Sequence, residues 1–209
     1  MIKIFVGTSA NGEDEVAEKT LEYSLRKHSS EELQVIFMRN NNSYLGNFNS
    51  SGWATPFTNL RWTIPEYCEF TGRAIYMDVD QLNLRDISEL HNIDLQGKPF
   101  ASRADRLCVM VIDCQAMQRL LQPISVIKNT PNYRSSIYWD IVKRSTHFDD
   151  RWNCLDGEGR PISDIWHLHF TSMPTQPWKP AWFRGVPKAH PRQDLVDLWT
   201  QYRLEAYAQ

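Results

Sequence analysis

Two pairs of side chains in this chain have the types and spacing that chemistry asks for: Asp78-Val79-Asp80 and His167-Leu168-His169. Side chains two apart on an extended segment point the same way, so each pair can face one site. Carboxylate oxygens are hard ligands suited to Mg2+ or Mn2+, ions that in turn bridge the oxygens of a diphosphate. Taken alone, the acidic triplet reads more readily as two solvated acids at a strand end. A His-x-His pair, taken alone, reads as structural or merely exposed.

The elements around the carboxylates favour the first reading. Arg73-Ala74-Ile75-Tyr76-Met77 is a buried strand that runs straight into Asp78. Ligands of open α/β sheets collect in the crevice beyond the carboxyl ends of such strands. Ile2 to Val6 is a first strand, ending in the turn-prone loop Gly7-Thr8-Ser9-Ala10-Asn11-Gly12. A helix is expected over 14–28, with Val16, Ala17, Thr20, Leu21, Ser24 and Leu25 on one face and acids at its positive end. Leu33 to Met38 is a second strand, and the β-α-β order favours a mostly parallel sheet. Residues 39–55 read as a polar surface loop, and 58–67 as a helix despite Pro65. Leu107 to Asp113 repeats the pattern of an apolar strand ending in aspartate. Residues 137–142 and 162–170 are strand-like or mixed, and 194–206 reads as a C-terminal helix.

Composition narrows the classes. At 209 residues, 42% apolar and 23% charged, the chain suits one domain spanning 1–209. A net charge of −2 leaves no global basic field to hold nucleic acid. The N-terminal apolar run is shorter than a signal segment, and no stretch approaches the ~18 apolar residues of a membrane span, so a cytoplasmic protein without a transmembrane segment is expected. Cys68, Cys108, Cys114 and Cys154 form no CxxC pair and read as free thiols. Aromatics make up 12%, with eight Trp, which serve in a core or in sugar stacking.

Three linked segments resemble glycosyltransferase family 8: Asn59-Leu60-Arg61-Trp62-Thr63-Ile64-Pro65, Gly72 through Asp80, and Leu84-Arg85-Asp86-Ile87-Ser88-Glu89-Leu90. They are similar to the family's Arg-Leu helix motif, its Tyr-Leu-Asp-x-Asp strand and the following Asp-(Ile/Leu)-x-x-Leu, and Arg61 lies seventeen residues before Asp78. His167-Leu168-His169-Phe170-Thr171 with Gln176-Pro177-Trp178-Lys179-Pro180 is similar to the family's closing motif. Val109 to Asp113 looks like the strand that lines the acceptor side. Tyr138 to Val142 and Arg151-Trp152-Asn153 are similar to its Asp-Gln-Asp-Ile-Leu and Trp-Asn segments.

The resemblance implies a Rossmann-like, mostly parallel mixed sheet flanked by helices, the glycosyltransferase A arrangement. It implies a metal-dependent transferase that moves a sugar from a nucleotide diphosphate, a UDP-sugar by preference, to an acceptor with retention of anomeric configuration. Mn2+ or Mg2+ would sit on Asp78, Asp80 and His169, with His167 the fallback ligand. Arg61 would contact the donor, or pair on a helix surface with Glu66 or Glu69. Gly7, Thr8 and Ser9, at the end of the first strand, are the expected nucleotide contacts, with Asp78, Val79 and Asp80 beside them. Gln176 stands where the family has its diphosphate lysine, and Lys179 is either a substitute cation or a surface lysine. Asp140 is the expected stabiliser of the cationic sugar, or a helix N-cap. Trp178 and Trp182 would stack on a sugar or pack a C-terminal loop. Two departures lie near the site: Arg106-Leu107-Cys108 replaces Asn-Ala-Gly, and Trp139 replaces the Gln of Asp-Gln-Asp. The rival readings are a sugar-nucleotide-binding protein without turnover, a metal-dependent phosphoryl-transfer enzyme, and a plain structural module. The acceptor, whether carbohydrate, lipid-linked or protein, is left open.

Overall fold

The computed structural model describes residues 1–209 except 42, 54, 105, 130–138 and 182, together with the backbone of Trp139. Expectations that fall on Tyr138, Trp182 and the Trp139 side chain lie outside the described residues.

The chain begins with β1 (Ile2–Thr8), α1 (Glu15–His28) and β2 (Leu33–Arg39). A polar loop with buried Phe48 follows, then a 3-10 turn Leu60–Thr63 and the short α2 (Ile64–Tyr67). The single helix expected over 58–67 is thus split. Pro65, which lacks an N–H and suits a first turn, sits at the start of α2. Next come β3 (Arg73–Asp78), β4 (Gln81–Asn83), α3 (Ile87–His91), β5 (Phe100–Arg103), β6 (Arg106–Asp113), α4 (Cys114–Met117) and α5 (Ile124–Asn129). The remainder is α6 (Trp139–Val142), β7 (Thr146–His147), β8 (Cys154–Leu155), β9 (His167–His169) and α7 (Gln193–Tyr207). Of the two mixed segments, 139–142 is helical and 162–170 holds a 3-10 turn followed by β9.

Six strands form the main sheet in the order β2-β1-β3-β6-β5-β7. β1 pairs in parallel with β2 and β3, β5 with β7, and β6 runs antiparallel to both its neighbours. All but β6 therefore point the same way, which is the mostly parallel mixed sheet that the sequence implied. Both faces are covered, so the strands are apolar throughout rather than alternating with polar residues. Ile4, Val6, Ile75, Met77, Val109 and Val111 pack under Leu21 and Leu25 of α1 and Trp199 of α7. Phe5, Ala74, Tyr76, Met110 and Ile112 face Leu60, Trp62 and Ile64 on the other side.

Strand order sets the position of the site. β2 lies on one flank of β1 and β3 on the other, so the chain reverses its direction of travel across the sheet there. The crevice opens beyond the carboxyl ends of parallel strands at such a reversal. A small second sheet, β4-β9-β8, closes the crevice from the side, with Gln81 opposite His169. No helix among the described residues is long and apolar enough to cross a membrane.

Candidate active site at the β1 and β3 strand ends

Gly7 and Asp78 are register partners where β1 and β3 end, and the Val79 N–H donates to the Gly7 carbonyl at 3.1 Å. A side chain at position 7 would strike the Tyr76 hydroxyl and lie 2.9 Å from the Phe57 ring. Glycine at that point leaves room for the Tyr76 hydroxyl to donate to Asp78 Oδ1 at 2.6 Å. Arg61 stands over the Tyr76 ring at 4.4 Å and 3.7 Å from Asp78 Oδ1. Its other donors hold the carbonyls of Thr58 and Leu107. Arg61 is thus a buried residue, 5% exposed, rather than a helix-surface one. Burial lifts the Asp78 pKa above the usual carboxylate range, Arg61 opposes that, and neighbouring Asp80 reinforces it.

The pairing of β4 with β9 brings the distant histidine to the carboxylates. The Phe170 N–H donates to the Asp80 carbonyl at 2.9 Å, and His169 Nε2 lies 3.3 Å from Asp80 Oδ1. The other ring nitrogen of His169, Nδ1, is 3.1 Å from Asn153 Oδ1, which holds an N–H on Nδ1 and turns Nε2 toward Asp80. Asp80 Oδ1 is itself buried and without a hydrogen bond. A proton on Nε2 or a cation between the two satisfies that oxygen. Burial lowers the His169 pKa, but the Asp80 carboxylate and then Cys108 outweigh it and hold it well above the usual value. Ligand atoms of Asp78, Cys108 and His169 all lie within 4.8 Å of one another. The residues present therefore fit a divalent cation: an Asp78 oxygen, the Cys108 sulfur and a His169 nitrogen converge, with Asp80 3.3 Å from that histidine.

His167 is fully buried and turned away from the carboxylates, with Nε2 2.8 Å from Gln81 Oε1 and Nδ1 3.2 Å from Asn83 Oδ1. Burial pushes its pKa down to about 3.

Beside Asp80 a cavity of about 410 Å³ opens, lined among others by Ser9, Asp14, Phe57, Asp80, Gln176 and Trp178. Polar atoms buried without a hydrogen bond gather on it: Asp80 Oδ1, Gln176 Oε1 and Trp178 Nε1. Buried polar groups are normally paired, so donors and acceptors left open around one cavity describe the counterpart of a polar ligand. The Gln176 amide donates to the Phe170 carbonyl at 2.9 Å and to Asp80 Oδ2 at 3.3 Å. Trp178 stacks on Trp199 of α7 with ring centres 5.2 Å apart, so it packs its loop onto the body while presenting its indole edge to the cavity.

The other expected site residues fall as follows. Thr8 donates its hydroxyl to Glu18 at 2.7 Å, and Ser9 donates to Asp14. Asp14 stands at the N-cap of α1 but makes no cap bond, its carboxylate being turned to Ser9 and the cavity. The Lys179 ammonium is bound to the carbonyls of Gln176 and Trp178. Asp140 is not brought to the cluster. It is 71% exposed on α6 and lies 3.6 Å from Lys143. Sequence reasoning missed Cys108 at the cluster, Asn153 behind it and Asp14 on the cavity. Asn153 carried a signal, since it belongs to the Trp152-Asn153 segment, and Cys108 was visible as a departure. The approach of β6 to β3 that delivers Cys108 has no local signature.

Solved glycosyltransferases share this architecture. The apo form of the glycosyltransferase GlyE from Streptococcus pneumoniae TIGR4 matches with a TM-score of 0.66 at 15% identity, over 97% of this chain and 60% of that one. The galactosyltransferase LgtC in complex with donor and acceptor sugar analogs matches with a TM-score of 0.65 at 12% identity, over 98% and 96%. The bifunctional glycosyltransferase WbbM matches with a TM-score of 0.66 at 12% identity, over 99% and 51%. The chain thus spans about three fifths of GlyE and half of WbbM, and at these identities the likeness is one of fold. No curated protein sequence matches the chain. The sequence profile of glycosyl transferase family 8 matches residues 8–154, more than half of the chain, and on that ground the chain belongs to glycosyltransferase family 8.

Proposed function

We propose that this protein transfers a sugar from a nucleotide diphosphate, a UDP-sugar, to an acceptor, with retention of configuration and with a divalent cation, Mn2+ or Mg2+, at the site. The observation that carries the reading is the 410 Å³ cavity with unpartnered Asp80 Oδ1, Gln176 Oε1 and Trp178 Nε1 on its wall. Its size lies within the range of small-molecule sites. Asp78, Asp80 and His169 would hold the cation. When bound there, the cation supplies charge neutralisation to the departing diphosphate without a proton transfer.

The chain's own residues do the rest. Arg61 and Tyr76 orient the Asp78 carboxylate, and Asn153 fixes the His169 tautomer. Gly7 keeps the strand ends close, while Ser9 and Asp14 offer polar contacts to the nucleotide. Gln176 presents a neutral amide to the donor, with Lys179 bound one turn away to its own loop. Asp140 is proposed as the carboxylate that stabilises the cationic sugar. If so, Asp140→Asn lowers turnover while nucleotide binding is kept; if pairing with Lys143 is its whole role, neither changes.

A second reading has one specific observation in its favour. The neutral Gln176, where the family resemblance carries a lysine, suits a sugar-nucleotide-binding protein without turnover, because charge-assisted contacts to phosphate are about twice as strong as neutral ones. Release of UDP from a panel of UDP-sugars with Mn2+ separates the two. Release that depends on Asp80 supports the transferase; tight UDP binding with no release under any acceptor would support the binding protein.

A further inference from the structure

We infer that Cys108 is a thiolate ligand of the metal centre and lets it take a borderline-soft divalent cation, of which zinc is the common example, as well as Mn2+. The inference rests on reading the Asp78–Asp80–His169 cluster as a metal centre, and adds a ligand that the reading does not contain.

The sulfur is placed for it. Cys108 Sγ, an Asp78 carboxylate oxygen and a His169 ring nitrogen lie within 4.8 Å of one another. Cys68, Cys114 and Cys154 are buried, whereas Cys108 is half-buried at the start of β6, beside the crevice. Its backbone is pinned on both sides. Arg61 holds the carbonyl of Leu107, and the Gln81 amide donates to the carbonyl of Cys108 at 3.0 Å. The position is also where the chain departs from the Asn-Ala-Gly of the family it resembles, so a residue with no side chain is replaced by one whose side chain is a ligand.

Asn153 ties the sulfur to the imidazole. Fully buried, it donates from Nδ2 to Cys108 Sγ at 3.3 Å and accepts at Oδ1 from His169 Nδ1 at 3.1 Å. Metal-bound histidines hold their second nitrogen in this way. On binding, the thiol gives its proton to solvent and the sulfur lone pair goes to the cation. Carboxylate, imidazole and thiolate together admit zinc or cobalt beside manganese and disfavour magnesium, which takes oxygen ligands. The simpler account, in which Cys108 only fills space beside Asn153, predicts no contact between sulfur and metal.

Anaerobic titration of the whole chain with Co2+ decides between them, on wild type and Cys108→Ser. The expected result is a near-ultraviolet sulfur-to-cobalt charge-transfer band in wild type. The band is lost in Cys108→Ser while visible ligand-field bands remain. Visible bands alone in wild type, or a near-ultraviolet band that survives in Cys108→Ser, would overturn the thiolate ligand and leave the metal centre standing. No cobalt spectrum of any kind would overturn both. Should Cys108→Ser fail to fold, X-ray absorption of zinc-loaded wild type answers alone: one sulfur neighbour at ~2.3 Å supports the ligand, and none overturns it.

Discussion

β3 and β6 are adjacent apolar strands that each run into an aspartate, and because they are antiparallel the two aspartates lie at opposite ends of the sheet. Asp113 is the register partner of Arg73, where β3 begins. Its carboxylate accepts from the Ala116 N–H at 2.9 Å and caps α4, a fully local role. Asp78 instead meets Gly7 of β1 and, through the small second sheet, stands with Asp80 near His169. The cavity at the Asp113 end is the larger, about 690 Å³ against 410 Å³, and is bordered by Lys98, Arg119, Lys143 and Arg144. Yet among the described residues three buried polar atoms without a hydrogen bond, on Asp80, Gln176 and Trp178, border the Asp80 cavity, and none borders the Asp113 one. Volume does not mark the site. Unmet hydrogen-bonding and charge demand does.

The largest expected effect comes from removing the unpartnered carboxylate. Asp80→Ala should cut UDP-sugar turnover by roughly 10²–10³-fold or more, the scale of losing one preorganised electrostatic group. Its fold should survive, because Asp80 is partly exposed and its contacts are His169 and the Gln176 amide at the crevice rather than the core. Steady-state rates beside a melting scan check both halves, and a variant that merely unfolds would contradict the contrast.

Asn153→Ala comes next. Losing the group that orients His169 should weaken metal affinity by roughly 10–100-fold, measured by calorimetry. Unchanged affinity would remove Asn153 from the site. Gly7→Ala tests the strand ends themselves. The added methyl meets the Tyr76 hydroxyl and Phe57 ring, so a stability loss of ~1–3 kcal/mol in urea melts is expected, with a weaker nucleotide response. A neutral result would mean that β1 and β3 can part without harm.

Asp113→Ala is the smallest and sharpens the comparison from the other end. Losing one cap should cost ~0.5–1 kcal/mol and leave nucleotide response and turnover as they were. A fall in turnover there would mean that the two strand ends are not independent.

What was legible in the sequence follows element length. β1, α1, β2, β3, β6 and α7 are each at least six residues long, with a full apolar period or run, and they lie where the pattern places them. β4, β8 and β9 are two or three residues each, too short to show a period, yet their pairing is what carries His169 to Asp80. The direction of β6 was equally silent, since an apolar run reads the same in a parallel or an antiparallel strand. That direction decides that Cys108, and not Asp113, comes to the site. Arg61 was legible as a donor contact or, alternatively, a helix-surface residue, but not as the buried support of Asp78, because its partners, Leu107 and Tyr76, are distant in sequence. The acidic triplet announced itself through local chemistry, whereas the residues that orient it did not, because their roles exist only in the folded arrangement.

The measurement closest to the central claim is a thermal-shift and calorimetry series of UDP, GDP and CDP, each with and without Mn2+, on wild type and Asp80→Ala. One nucleotide present at about 100 times its Kd should stabilise wild type by ~2.7 kcal/mol, a melting shift of about 5–10 °C, only when metal is present and not in Asp80→Ala. A nucleotide response that ignores both metal and Asp80, or no response to any nucleotide with metal, would contradict the account.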